Sequence, residues 1–167
     1  KAVKKAEEAG PCDIAVIFVK STITGEAVKK NRAVFGNKTI AVTLQNGLGN
    51  VEMIAAELGG SNVIAGTTAN GATMLGPGRI RHAGKGKTVV GELTGKKTNR
   101  LSDLADMLSR AGLETDISDN VIGLIWDKLL VNAGINALTA LTGLRNGALL
   151  DHPELTWILE AAVEEAR

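Results

Sequence analysis

Cysteine, histidine and aromatic residues are all scarce in this sequence of 167 residues. A single cysteine, Cys12, excludes an internal disulfide framework and a multi-cysteine metal site. The two histidines, His82 and His152, lack the spacing of a ligand pair, so we expect no bound metal. Aromatic residues are 2% of the chain and tyrosine is absent, so the core must be built from aliphatic side chains.

An excess of charge of one sign is also missing. The sequence has nineteen Lys and Arg residues and eighteen Asp and Glu residues, which gives a formal net charge of +1 at pH 7. This balance does not indicate a nucleic-acid or membrane partner. No apolar run uninterrupted by polar residues is long enough to cross a bilayer. We therefore expect a cytoplasmic protein with neither kind of partner.

The first part of the chain alternates between strand and helix patterns. Residues 13–19 and 39–44 are apolar runs rich in β-branched side chains, typical of strands buried on both faces of a parallel sheet. Helices are predicted over residues 24–35 and 50–58, and a third strand begins at Asn62. This alternation predicts an α/β fold with a doubly wound sheet.

The pattern changes after the third strand. Glycine-rich turns separate three short stretches and predict an antiparallel hairpin region, at residues 67–74, 78–83 and 88–92. A helix, a short strand and then only helices follow, at residues 99–111, 113–117, 121–141 and 153–167. The glycine that follows the first of these helices, Gly112, is a typical helix terminator. We place a domain boundary near residues 118–120, so that the domains are residues 1–118 and 119–167.

A polar stripe runs along the helix predicted at residues 121–141, which is long and mostly apolar and is therefore expected to be buried inside a helical domain. Lys128, Asn132 and Asn136 are spaced i, i+4 and i+8, and about 100° per residue places them within an arc of about 80°. A buried polar group without a partner costs about 1–3 kcal/mol, so hydrophobic packing would not select this stripe. Either the stripe contacts a ligand, or the asparagines bridge a neighbouring helix while Lys128 extends to solvent.

Two further polar residues follow predicted strands. Asn46 lies in the turn Gln45-Asn46-Gly47-Leu48-Gly49 after the second strand, and Lys20 follows the first. Ligands of open α/β sheets bind beyond the carboxyl ends of the strands, and glycines let the backbone approach a ligand closely. The alternative is an ordinary Asn-Gly turn, which the motif by itself favours.

Together these segments resemble the ketopantoate reductase family. The resemblance rests on segments that occur in the family's order: Val19-Lys20-Ser21, Leu44-Gln45-Asn46-Gly47-Leu48-Gly49, Gly76-Pro77-Gly78 with His82-Ala83-Gly84, Trp126-Asp127-Lys128-Leu129, Asn132, Ile135-Asn136-Ala137-Leu138, and Asn146-Gly147. It covers nearly the whole chain, and the lysine helix with its two asparagines is the most specific part.

The resemblance implies a Rossmann-like domain followed by the start of an all-helical domain. It implies NADPH-dependent reduction of 2-dehydropantoate (ketopantoate) to pantoate, on the route to pantothenate and coenzyme A. By resemblance, Lys128 is the catalytic lysine, while Asn132, Asn136 and Asn46 contact the substrate. Lys20 and Asn46 are then the residues at the cofactor edge. A homodimer is a candidate assembly.

The chain departs from the family pattern at the cofactor site. Family members begin with a strand and a G-x-G-x-x-G turn that holds the pyrophosphate, and no segment of this sequence supplies that turn. The segment from Gly47 to Glu52 resembles it but has a carboxylate at the third glycine position. The later helical segment, which in the family carries a serine and a glutamate that contact the substrate, is also missing. We therefore expect an incomplete piece of a longer enzyme, inactive by itself, with a first strand exposed as an apolar edge. The alternatives are a related hydroxyacid dehydrogenase for another 2-keto acid, or a non-catalytic fragment kept for assembly.

Overall fold

Seven strands and five α-helices make up the part of the chain that the computed structural model describes, residues 2–167. The strands are β1 Cys12–Ile17, β2 Phe35–Thr43, β3 Val63–Thr68, β4 Gly71–Gly76, β5 Arg79–Gly84, β6 Thr88–Glu92 and β7 Thr115–Ile117. The helices are α1 Thr24–Lys30, α2 Asn50–Leu58, α3 Asn99–Arg110, α4 Val121–Thr142 and α5 Pro153–Glu165.

Five of the strands form one mixed sheet in the order β1-β2-β3-β6-β7. The first three run parallel, β6 is antiparallel to β3, and β7 is parallel to β6. Strands β4 and β5 form a separate two-stranded hairpin. The predicted α/β class with an antiparallel hairpin is confirmed. The last of the three short stretches, however, does not extend the hairpin, because it inserts into the main sheet beside β3.

Aliphatic side chains fill the core on both faces of the main sheet. Side chains of β2, β3 and β6 pack against α3 on one face, where Leu101 and Leu104 are buried. On the other face, Val28 of α1 and Ile54 of α2 cover β1, β2 and β3. Each such buried side chain contributes about 1.5–3 kcal/mol through the hydrophobic effect. Helices on both faces confirm the doubly wound arrangement.

The segment between β1 and β2 differs from the prediction. Helix α1 ends at Lys30 rather than near residue 35, and β2 begins at Phe35 rather than at residue 39. Two interactions account for this. The Asn31 side-chain amide donates to the Ala27 carbonyl at 2.8 Å, and Phe35 already pairs with Cys12 of β1. Helix propensity is weak evidence, and here sheet pairing decides the boundary.

The expectation that β1 is buried on both faces is wrong. Strand β1 is an edge of the described sheet, and its Val16 side chain is 48% exposed. This agrees with the expectation of an exposed apolar edge.

Helix α4 has the predicted position but not the predicted burial. It begins where the Asn120 side chain accepts from the Gly123 amide at 3.0 Å, and it ends at Thr142, just before Gly143, which has a φ of 70°. Val121 and Ile125 pack on the sheet, while Val131 and other apolar side chains are exposed. By length and composition alone α4 could cross a membrane, but core helices of soluble proteins are often equally long and apolar.

Candidate active site

A polar cleft of 410 Å³ opens at the carboxyl ends of β1, β2 and β3. Parallel strands bring these ends to one edge of the sheet, which is where ligands bind in open α/β folds. The cleft is lined by the turns after β1 and β2, the end of β3 with the turn that follows it, and a single side chain of α4. These residues are Phe18, Val19, Lys20, Ser21, Thr22, Leu44, Gln45, Asn46, Thr68, Asn70 and Lys128.

Lys128 is the α4 residue in this cleft. Its ammonium Nζ donates a hydrogen bond to the Thr68 carbonyl at 2.6 Å, across 60 positions of sequence. The side chain is half-buried, and this desolvation lowers the pKa of Lys128 from its ordinary value of 10.5. Among the described residues, no carboxylate lies within ion-pair distance of it. An ammonium has three donors, so donor capacity remains for a ligand in the cleft.

Lys20 and Asn46 reach the same cleft from two neighbouring turns, as expected for residues that follow parallel strands. Both are exposed. The turn that carries Asn46 needs its glycines, since Gly47 has a φ of 84° and Gly49 a φ of 85°. Such values are in the left-handed region that L side chains rarely adopt. The structure therefore brings Lys128, Lys20 and Asn46 together.

Asn132 and Asn136 do not line the cleft. They lie one and two turns beyond Lys128 on α4, about 6 and 12 Å further along the helix axis. Asn132 is half-buried and Asn136 is exposed. The polar stripe thus begins in the cleft at Lys128 and continues along α4 away from the sheet.

Sequence reasoning did not single out Thr68 and Asn70, which also line the cleft. Thr68 ends β3, so the rule that directed attention to the ends of the first two strands also applies to it. Asn70 fastens the base of the hairpin: its amide Nδ2 donates to the Gly86 carbonyl at 2.6 Å, and its Oδ1 lies 2.9 Å from Nε2 of His82. His82 therefore takes part in holding the hairpin at Asn70.

This edge of the sheet fits the reacting end of a dinucleotide better than its pyrophosphate. The Lys20 ammonium and the Asn46 amide offer donors at the sheet edge, where the reacting end of a cofactor and a carboxylate could both lie. The start of α2, in contrast, faces Ile122 and Trp126 of α4 across a small apolar hollow. Together with Glu52 in its first turn, this makes the Gly47–Glu52 turn a poor fit for a pyrophosphate.

Two family models match the chain. The model of the ketopantoate reductase family (PanE/ApbA) matches residues 1–95, and the model of the family's C-terminal part matches residues 120–167. The chain belongs to the ketopantoate reductase family. Residues 96–119 separate the two matched regions.

Individual relatives place the chain within this family. A 2-dehydropantoate 2-reductase of Halobacterium salinarum is 40% identical over 92% of this chain and 50% of its own length. The crystal structure of 2-dehydropantoate 2-reductase from Geobacter metallireducens has a TM-score of 0.91 at 28% identity, covering 98% of this chain and 55% of its own. D-mandelate dehydrogenase with NADH and anilino(oxo)acetate has a TM-score of 0.87 at 25% identity, covering 93% and 50%. The chain spans about half the length of the curated relatives it matches.

Proposed function

We propose that this chain forms part of an NADPH-dependent 2-dehydropantoate 2-reductase, which reduces ketopantoate to pantoate for pantothenate and coenzyme A synthesis. One observation carries the proposal: the half-buried Lys128 ammonium is anchored to Thr68 in the cleft that Lys20 and Asn46 border. The names of the relatives support the reaction. The cleft contributes the reacting edge of the site, and the chain is an incomplete piece of the enzyme.

Lys128 is the proposed acid. Its ammonium donates a hydrogen bond to the ketone oxygen and then a proton as negative charge develops on that oxygen. Burial lowers the pKa of Lys128, which makes the proton easier to transfer. The bond to the Thr68 carbonyl limits the positions that the ammonium can take, so the donor is oriented before the substrate arrives.

Lys20 and Asn46 are proposed to hold the cofactor edge, and Asn46 also the substrate. When bound, the nicotinamide cofactor supplies the hydride for the carbonyl carbon. Asn132 and Asn136 are proposed to orient the hydroxyl and carboxylate ends of the substrate. Their position further along α4 requires a substrate that extends from Lys128 along that helix.

A related hydroxyacid dehydrogenase is the second candidate, favoured by the likeness to D-mandelate dehydrogenase with NADH. The same lysine chemistry would serve another 2-keto acid and the other nicotinamide cofactor. A panel of 2-keto acids, each assayed with NADPH and with NADH, separates the candidates by kcat/KM. Retention of Lys128, Asn132, Asn136 and Asn46 argues against a non-catalytic fragment. The cytoplasmic compartment, the homodimer and the lack of nucleic-acid or membrane partners stay predictions.

The decisive experiment replaces Lys128 by Met in the full-length enzyme, because the 167-residue chain alone is expected to show negligible turnover. Loss of the general acid should lower kcat with ketopantoate about 10²- to 10⁴-fold. Lys96→Met, at an exposed position outside the cleft, is the matched control and should keep the parent rate. A Lys128→Met enzyme with near-parental kcat would refute the role.

A further inference from the structure

Three polar side chains, Gln45 at the cleft and Thr24 and Asn50 behind it, form one directed hydrogen-bond network. The Gln45 amide Nε2 donates to the Val19 carbonyl and, at 2.9 Å, to the Thr24 hydroxyl. The Thr24 hydroxyl in turn donates to Oδ1 of Asn50 at 2.8 Å. The Asn50 amide Nδ2 donates to the Asn46 carbonyl at 3.1 Å.

The directions of these bonds are all consistent. The Thr24 oxygen accepts from Gln45 and gives its single proton to Asn50, so the hydroxyl cannot be replaced by a donor-only or acceptor-only group. The Gln45 oxygen is also used, since it accepts from the Thr43 hydroxyl at 3.0 Å. Thr24 is 0% exposed and Asn50 3% exposed, so water does not substitute for a missing partner.

The two ends of the network are at the cleft. At one end Gln45 holds the carbonyl of Val19, the residue immediately before Lys20. At the other end Asn50 holds the carbonyl of Asn46 itself. Lys20 and Asn46 are exposed and belong to different turns. The network therefore links the backbones from which both cleft side chains extend.

We infer that Thr24, Gln45 and Asn50 are positioning residues, which set the separation of Lys20 and Asn46 for a nicotinamide cofactor bound at the cleft edge. The inference rests on the proposed function for the identity of the ligand. The three residues act through the two turns, and the proton donor Lys128 approaches the cleft independently from α4. Loss of the network should therefore weaken cofactor binding and leave proton donation largely intact.

The test compares Thr24→Val, which removes the hydroxyl at constant shape, with Thr24→Ser, which keeps it. In the full-length enzyme, Thr24→Val should raise both the KM for NADPH and the Kd for NADPH from fluorescence titration about tenfold. A tenfold change corresponds to the loss of about one buried hydrogen bond. The kcat at saturating NADPH should change much less, and Thr24→Ser should restore most of the affinity. Asn50→Leu, which removes another link in the network at similar volume and lies outside the cleft, should give the same split between KM and kcat.

Thr98→Val is the matched control for a merely structural effect. Thr98 is likewise a threonine at a helix start with a hydroxyl in a buried network, but it lies outside the cleft. Its loss should reduce stability and leave KM and Kd unchanged. Hydrogen–deuterium exchange without ligand should show faster exchange of the turns after β1 and β2 in Thr24→Val only.

The outcomes separate the two proposals. If the parent enzyme reduces ketopantoate and Thr24→Val has the parental KM, Kd and exchange, positioning is refuted while the function stands. Equal losses of affinity in Thr24→Val and Thr98→Val also refute it. If the parent reduces no 2-keto acid with either cofactor, the proposed function is refuted. The positioning role then stands only if Thr24→Val still binds NADPH about tenfold more weakly than the parent, and it is refuted if the two Kd values are equal.

Discussion

Lys128 is held in a half-buried position by a neutral carbonyl rather than by a carboxylate. Burial of a charged amine without a counter-charge costs folding free energy, and the lowered pKa of Lys128 measures that cost. An apolar replacement should therefore stabilise the fold near neutral pH. Activity and stability would then be opposed at this residue, as at other functional sites.

The stabilisation expected from Lys128→Met should depend on pH in a definite direction. Lys128 loses its proton at a lower pH in the folded state than in the unfolded state, whose ordinary value is 10.5. At pH values between the folded and unfolded pKa of Lys128, the unfolded state binds more protons than the folded state. The free energy of unfolding of the parent therefore rises with pH in this range. The advantage of Lys128→Met should be full below the folded pKa and should shrink as pH rises toward the ordinary value. Urea unfolding across this range measures it, and an advantage that grows with pH would contradict the cause.

At the scale of elements, one buried carboxylate joins β6 to α3. Glu92, which is 5% exposed, accepts two bonds from the Arg100 guanidinium and one from the Thr98 hydroxyl. Arg100 also donates to the Ser61 carbonyl before β3. Burial by itself would raise the pKa of Glu92, but the bonds from Arg100 and Thr98, together with the positive charge, outweigh it and lower the pKa.

Arg100→Met should leave Glu92 without its main partner and lower the free energy of unfolding by about 2–3 kcal/mol at neutral pH. Because the pKa of Glu92 is lower in the folded state, its pair with Arg100 stabilises the fold at pH values above the ordinary pKa of 4.5. This stabilisation is lost as the pH falls through the pKa of Glu92 in the folded state. The difference between parent and variant should therefore shrink on acidification. Arg110→Met, at the exposed end of α3, should change stability by less than about 0.5 kcal/mol. A pH-independent difference would contradict the ionic cause.

Local patterns located most elements, and pairing across the sheet decided the boundaries. Helix α2 and strand β6 lie where turn residues and apolar runs predict them. Strand β2 begins four residues earlier than residue 39 because Phe35 pairs with Cys12, which is distant in sequence. Similarly, no local signal tells whether β6 extends the hairpin or joins β3. That choice depends on which partner buries Val90 completely.

At the scale of the whole molecule, the exposed edge of the sheet affects association. Among the described residues, no strand pairs with the outer side of β1. A mostly apolar hollow of 260 Å³ lies beside β1. Val16 is 48% exposed and Phe18 is 61% exposed. Unpaired apolar edges promote pairing between chains, and a lysine on the edge opposes it.

Val16→Lys should therefore reduce self-association of the 167-residue chain. Sedimentation velocity over a range of concentrations should show a smaller associated fraction than for the parent. Ala56→Lys, which adds the same charge on the exposed face of α2, should associate like the parent. Equal associated fractions for both variants would mean that net charge, and not the edge, controls association.

The sequence by itself determined the alternation of strands and helices, the aliphatic core and the spacing of Lys128, Asn132 and Asn136, because these depend on local hydrogen bonding and side-chain periodicity. The tertiary structure decided that Lys128 reaches Thr68 and that the two asparagines lie outside the cleft. It also decided that Thr24, Gln45 and Asn50 join into one network. The physical reason is that these contacts depend on how α4 and the two turns pack on the sheet, which no local period of the sequence encodes.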